Sequence, residues 1–212
     1  MRRTTMGYAL SFSATLRNIA ALVVAQPLPG ALAVAALVAS GLAADLYGAA
    51  FLVGVVALAA QYLVTSALLR GAGAHAAWGA PGRAARFVGV SIVSSVAIGV
   101  GMLCLIVPGL FLFARWLIAM PLVIGEGRSV QAALRTSWRW TRPSTAALMG
   151  IVALAIAPLA AALLIFLFVY PPYGPVALAA ALPANLLYGI GLTLCWYAAV
   201  AVYLRLRAAT EV

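Results

Sequence analysis

The residues able to do chemistry are few and far apart. Of 212 residues, only 3 are Asp or Glu, 1 is His and 2 are Cys. Metal-assisted or general acid–base catalysis needs several such groups converging on one site. Asp45, His75, Cys104, Glu126 and Cys195 are scattered along the chain and match no ligand or nucleophile spacing. No metal site, no cofactor and no enzymatic activity is therefore expected. His75 reads as a solvated loop residue and Asp45 as a residue of the outer interface. Cys104 and Cys195 lie inside apolar runs, where a thiol packs as a small hydrophobe.

What remains is arginine. All 13 basic residues are Arg, and the net charge is +10. The guanidinium fork matches phosphate oxygens, so a cluster of such groups near a membrane favours anionic lipid headgroups. Arg115, Arg128, Arg135, Arg139 and Arg142 form the candidate lipid- or anion-binding set. The partner is expected to be membrane lipid, not nucleic acid. Only 8% of residues are charged and 67% are hydrophobic, whereas soluble domains carry roughly 25% charged residues.

Those proportions define the elements that must hold the arginines. Several apolar runs exceed the ~18 residues that mark a spanning helix, and no alternating, turn-punctuated pattern of a barrel is present. The expected fold is an all-α polytopic bundle, one integral membrane domain over residues 1–212. Six spans are placed at 28–46, 49–69, 87–107, 109–125, 144–170 and 176–204. They form three hairpins, each preceded by an interfacial or basic elbow at 1–26, 70–86 or 126–143.

Within 1–26, Phe12, Leu16, Ile19 and Val23 recur at helical spacing, and Pro27 and Pro29 end the helix. It either lies in the interface or forms the first half of a broken span. Pro108-Gly109 is read as the turn of the second hairpin and a structural hinge. Counted from that turn, Arg115 falls in the outer half of the membrane, roughly 7–8 Å along its helix. From there it can snorkel to headgroups, hold an anion or bind a carbonyl at the turn.

Glu126 marks the exit of that span. It is expected to fix a hinge by pairing with Arg128, Arg135 or an arginine of another elbow. Ser129 then caps an amphipathic helix. Val130, Leu134 and Trp138 line one of its faces, and Gln131, Arg135 and Arg139 the next. Trp138 and Trp140 suit headgroup depth. Pro158 is a third hinge candidate, inside the fifth span, and the turn Tyr170 to Pro175 follows. Asn185 and Thr193 offer interhelical hydrogen bonds, while Gly189 and Gly191 allow close packing.

With six spans, twelve of the 13 arginines share one side, Arg115 being the exception. By the positive-inside rule that side is cytoplasmic. The expected location is a bacterial cytoplasmic (inner) membrane, multi-pass, with both termini cytoplasmic.

At Pro108-Gly109, Arg115, Pro121, Glu126 and the run Ala133 to Arg142, the chain resembles the glycerophosphoryl diester phosphodiesterase membrane-domain family. The likeness lies in a Pro-Gly hairpin, an Arg-bearing helix, a Pro, a Glu at the exit, and an Ala-x-x-x-Ser segment matched by Ala133 and Ser137. Trp140 and Pro143 depart from the Leu and Gly of that pattern. The resemblance implies a six-helix membrane domain. It implies no hydrolysis, because members that cleave phosphodiesters do so with a separate soluble domain. The expected function is non-enzymatic: a scaffold or subunit of an envelope complex that binds lipid, with a homo-oligomer or another membrane protein as partner. The alternative is a permease or transporter-like component handling a lipid or small amphiphile. Arg115, Pro158 and the Gly-rich sixth span motivate it, although scarce intramembrane carboxylates weigh against proton or sodium coupling.

Overall fold

A computed structural model describes residues 9–74, 82–170 and 176–210. Across those residues the chain is all-α and polytopic, with six stretches long and apolar enough to cross a membrane. Helix α1 is Phe12–Ala25, α2 is Pro27–Tyr47, α3 is Ala50–Gly71 and α4 is Arg83–Cys104. Then come α5 (Ile106–Trp116), α6 (Ala119–Glu126) and α7 (Val130–Thr141). A single 3-10 turn, Arg142–Ser144, leads into α8 (Thr145–Phe168), and α9 (Leu178–Thr210) completes the described chain.

The three expected hairpins are present as α2 with α3, α4 with α5, and α8 with α9. Helix α9 is the centre of the bundle. It meets α1, α2, α3, α6 and α8, and every residue from Cys195 to Tyr203 is buried. The outer helices bury only one stripe and turn apolar residues outward, such as Val93, Val96 and Val100 of α4. That inversion suits a chain whose solvent is lipid.

Helix α1 is separate from α2. Its 14 residues span only about 21 Å, short of a hydrocarbon core of about 30 Å. It packs against α8 and α9, burying Thr15 and Ile19. Phe12 and Leu16, expected on the same face as Ile19, are exposed. The break falls at Gln26, and Pro27 opens α2, where a missing N–H costs nothing. The Tyr197 hydroxyl of α9 ties this break, donating to the Gln26 carbonyl at 2.5 Å and accepting from the Gly30 N–H at 3.1 Å.

The second hairpin corrects the expected turn. Leu105, extended at φ −162° and ψ 137°, joins α4 to α5. Pro108 and Gly109 lie beyond it, in the first turn of α5. Proline is tolerated there because first-turn N–H groups have no helical partner. Gly109 serves close approach instead. A Cβ on it would strike Met102, and one on Gly101 would meet the Gly109 backbone at 3.0 Å.

The fourth span is also not one helix. It breaks at Leu117 and Ile118, between α5 and α6. Pro121 explains the break: it has no N–H to donate, and its ring crowds the carbonyl four residues back. Pro158, expected to bend its helix, lies inside α8, which stays helical across it. His75, and the Pro171 to Pro175 part of the predicted turn, fall outside the described residues.

Candidate functional site

Helix α7 begins where α6 ends. Gly127, at φ 67°, supplies the left-handed residue that closes α6. Arg86 of α4 places Nη1 2.6 Å from the Gly127 carbonyl, a cation on the negative end of a helix. Ser129 then accepts from the Ala132 N–H at 3.4 Å and starts α7.

The expected ion pair at this corner is present. Arg128 Nε lies 2.6 Å from Glu126 Oε2, and its Nη1 donates to Thr136 Oγ1 at 2.8 Å. The other Glu126 oxygen accepts from the Tyr203 hydroxyl of α9 at 3.0 Å. One carboxylate thus joins the end of α6, the start of α7 and the central helix. It is committed to these contacts and is poorly placed to act as a base.

One face of α7 is small and hydroxylated. Ala133, Ser137 and Thr141 recur every fourth residue, and each is 0% exposed. Their size lets α7 close on the break between α5 and α6. The Arg115 carbonyl stands in the last turn of α5, where carbonyls lose their helical partners. Ser137 donates its hydroxyl to that carbonyl at 2.8 Å. Thr141 Oγ1 is 3.1 Å from the same carbonyl and 2.7 Å from the Ser137 carbonyl, so its one proton is shared between two acceptors. The resemblance residues Ala133 and Ser137 therefore have a physical task, sealing a broken span.

This contact moves Arg115. Expected in the outer half of the membrane, it instead belongs with the elbow. Its residue is 2% exposed. The guanidinium carbon lies 4.3 Å from the centre of the Trp138 ring and 6.0 Å from that of Phe111. Nη1 donates to Thr145 Oγ1, at the start of α8, over 3.3 Å. Nε is buried with no partner among the described residues. The sequence expectation places Arg115 by its distance from Pro108-Gly109 along a straight helix. The turn lies earlier and the helix is broken.

The other face of α7 borders an open groove of about 770 Å³, lined by Arg128, Arg135, Arg139, Trp116, Trp138 and Gln131, among others. Three of the five expected anion-binding arginines thus share one surface. Arg115 is not part of the lining, but Trp138 borders the groove and stacks on it. Arg142 is exposed in the following 3-10 turn, near enough for its charge to act on Arg115. The groove presents guanidinium donors, indole edges and aliphatic stems, a set suited to a phosphate bearing an apolar body. Among the described residues, no three of His, Cys, Asp and Glu come together.

A second constellation escaped the sequence reading. Asp45, in the last turn of α2, accepts from Asn185 Nδ2 at 2.8 Å and from the Tyr170 hydroxyl at 3.0 Å. Asn185 was recognised as an interhelical donor, but nothing in its spacing pointed to Asp45, 140 residues away. Thr193, the companion candidate, is buried with no hydrogen-bond partner among the described residues.

Compared with family models, curated proteins and solved structures, the chain matches none.

Proposed function

We propose that this chain is a non-enzymatic inner-membrane protein of bacteria, a scaffold or subunit of an envelope complex. On this reading its α7 groove holds anionic lipid headgroups at the cytoplasmic surface. The observation that carries it is the joint placement of Arg128, Arg135 and Arg139 beside Trp116 and Trp138 on one open surface. Scarce catalytic groups support the non-enzymatic part: the whole chain has 3 carboxylates and 1 histidine. Outward apolar faces such as that of α4 leave room for a second copy or another membrane protein.

Orientation follows from charge. Arg70 ends α3, Arg83 begins α4, and Arg205 and Arg207 end α9. With Arg115 joined to the elbow, the arginines among the described residues gather at one end of the bundle. The positive-inside rule makes that end cytoplasmic. Kinship with the glycerophosphoryl diester phosphodiesterase membrane-domain family is part of this proposal. It rests on Arg115, Pro121, Glu126, Ala133 and Ser137, which together build the broken span and its seal.

The test is lipid selectivity. The protein is reconstituted in nanodiscs of mixed phosphatidylglycerol and phosphatidylcholine, and native mass spectrometry reads the lipids retained. Phosphatidylglycerol should be enriched, and Arg135→Gln with Arg139→Gln should lower that enrichment several-fold. Equal retention of both lipids by the unaltered protein would sink the reading.

A second reading, a permease or transporter-like component for a lipid or small amphiphile, is favoured by a separate observation. A cleft of about 540 Å³ lies beside Asp45.

A further inference from the structure

That cleft lies at the end of the bundle away from the elbow. It is bounded by α2, α3, α8 and α9, and its walls include Val53, Leu159, Leu163 and Phe166. These would accommodate an alkyl chain. Asp45, Asn185 and Tyr170 form its polar part.

The polar part is unbalanced. Among the described residues, both hydrogen bonds to Asp45 reach the same oxygen, Oδ2, from Tyr170 and Asn185. A carboxylate offers about four acceptor positions over two oxygens, so acceptor capacity remains. Both partners are neutral, and no ion pair to Asp45 is formed among the described residues. Asp45 also sits in the last turn of α2, where the helix dipole disfavours negative charge. Tyr170 is held as a donor: burial, then the Asp45 hydrogen bond and charge, push its hydroxyl up to about 12. The packing is built around this arrangement, because a Cβ on Gly41 would strike the Asn185 side chain.

A pocket with apolar walls and a few convergent polar groups selects a ligand by its head and holds it by its body. An anionic head would be repelled here, and a neutral hydroxyl would leave the charge uncompensated. We propose that this cleft binds a membrane-resident amphiphile with a cationic, hydrogen-bond-donating head, such as a long-chain amine, with the head on Asp45 and the chain between α3 and α8. The site is distinct from the α7 groove and does not depend on its reading.

Hexadecylamine, hexadecanol and hexadecyl sulfate are introduced into phosphatidylcholine nanodiscs holding the protein. Propylamine, with the head but no chain, is added from water. Bound adducts are counted by native mass spectrometry over a concentration series. Saturable binding of one hexadecylamine is expected, at least ten-fold tighter than any of the other three. Asp45→Asn, which removes the charge and keeps the shape, should weaken it ten-fold or more. Ala50→Trp, placed at an exposed position on the cleft wall, should do the same by blocking the chain. If hexadecanol or the sulfate binds as tightly, the head assignment fails. If propylamine binds as tightly, the chain assignment fails. Unchanged affinity in either variant overturns the site. Should Asp45→Asn fail to fold, Ala50→Trp decides alone.

Discussion

Arg115 stands among aromatic rings and hydroxyls, with no carboxylate against it among the described residues. Its stabilisation comes from the Trp138 face at 4.3 Å and one hydroxyl at 3.3 Å. A desolvated cation–π contact contributes about 2 kcal/mol, and a planar guanidinium exploits a ring face better than a compact ammonium. Arg115→Lys should therefore lower stability by about 1–2 kcal/mol although the charge is kept, measured as the thermal unfolding midpoint in detergent. No change would mean that the stacking contributes nothing. Tyr170 gives a prediction in pH. Its hydroxyl is raised from the usual 10.0 to about 12, so the folded state holds the proton more tightly than the unfolded state. The resulting stabilisation is complete below pH 10 and is lost as pH climbs towards 12. Tyr170→Phe should flatten that alkaline decline in melting temperature. Local features of this kind were unevenly legible. The Glu126–Arg128 pair is two residues apart and is one of the three pairings that the sequence offers. Trp138 under Arg115 and Asp45 beside Asn185 are long-range contacts between elements that periodicity cannot bring together.

The break between α5 and α6 shows why element boundaries are harder to read than elements. Hydropathy sees Ile106 to Glu126 as one apolar run, and Pro121 was visible only as a residue of a resemblance. Its consequence, a break at Leu117 and Ile118 that leaves the Arg115 carbonyl in a terminal turn, becomes clear once Ser137 and Thr141 are seen to reach that carbonyl. A stripe of Ala133, Ser137 and Thr141 at intervals of four was the available signal, a small hydroxylated face opposite a basic one. The interdependence can be measured. Ser137→Ala should cost about 1 kcal/mol in the natural background. In Pro121→Ala, where a continuous helix can satisfy its own carbonyls, the same change should cost less. A double-mutant cycle on thermal stability reads the difference, and equal costs in both backgrounds would show that the proline and the hydroxyl act separately. Pro108 and Gly109 carry the same lesson. The residue types signalled a special backbone position, but their use was helix entry and close approach, with the turn made by an extended Leu105.

For the molecule as a whole, composition and run length were enough for the all-α polytopic class and the three hairpins, because lipid permits few other arrangements. The central position of α9 was less visible, since a helix apolar all round has no face that names its neighbours. Orientation is directly testable with single cysteines in a background lacking Cys104 and Cys195. Tyr47→Cys, at the exposed end of α2, should react with a membrane-impermeant maleimide applied to intact cells. Ala208→Cys, exposed near the end of α9, should react only after the cells are opened. The reverse pattern would invert the bundle. The seal on the broken span also bears on how the chain is made. Arg115 is synthesised 22 residues before Ser137 and 30 before Thr145. While the nascent chain enters the bilayer, its cation lacks the ring and hydroxyls that later enclose it. The seal on the fourth span can therefore close only after the ribosome has delivered α7 and the start of α8.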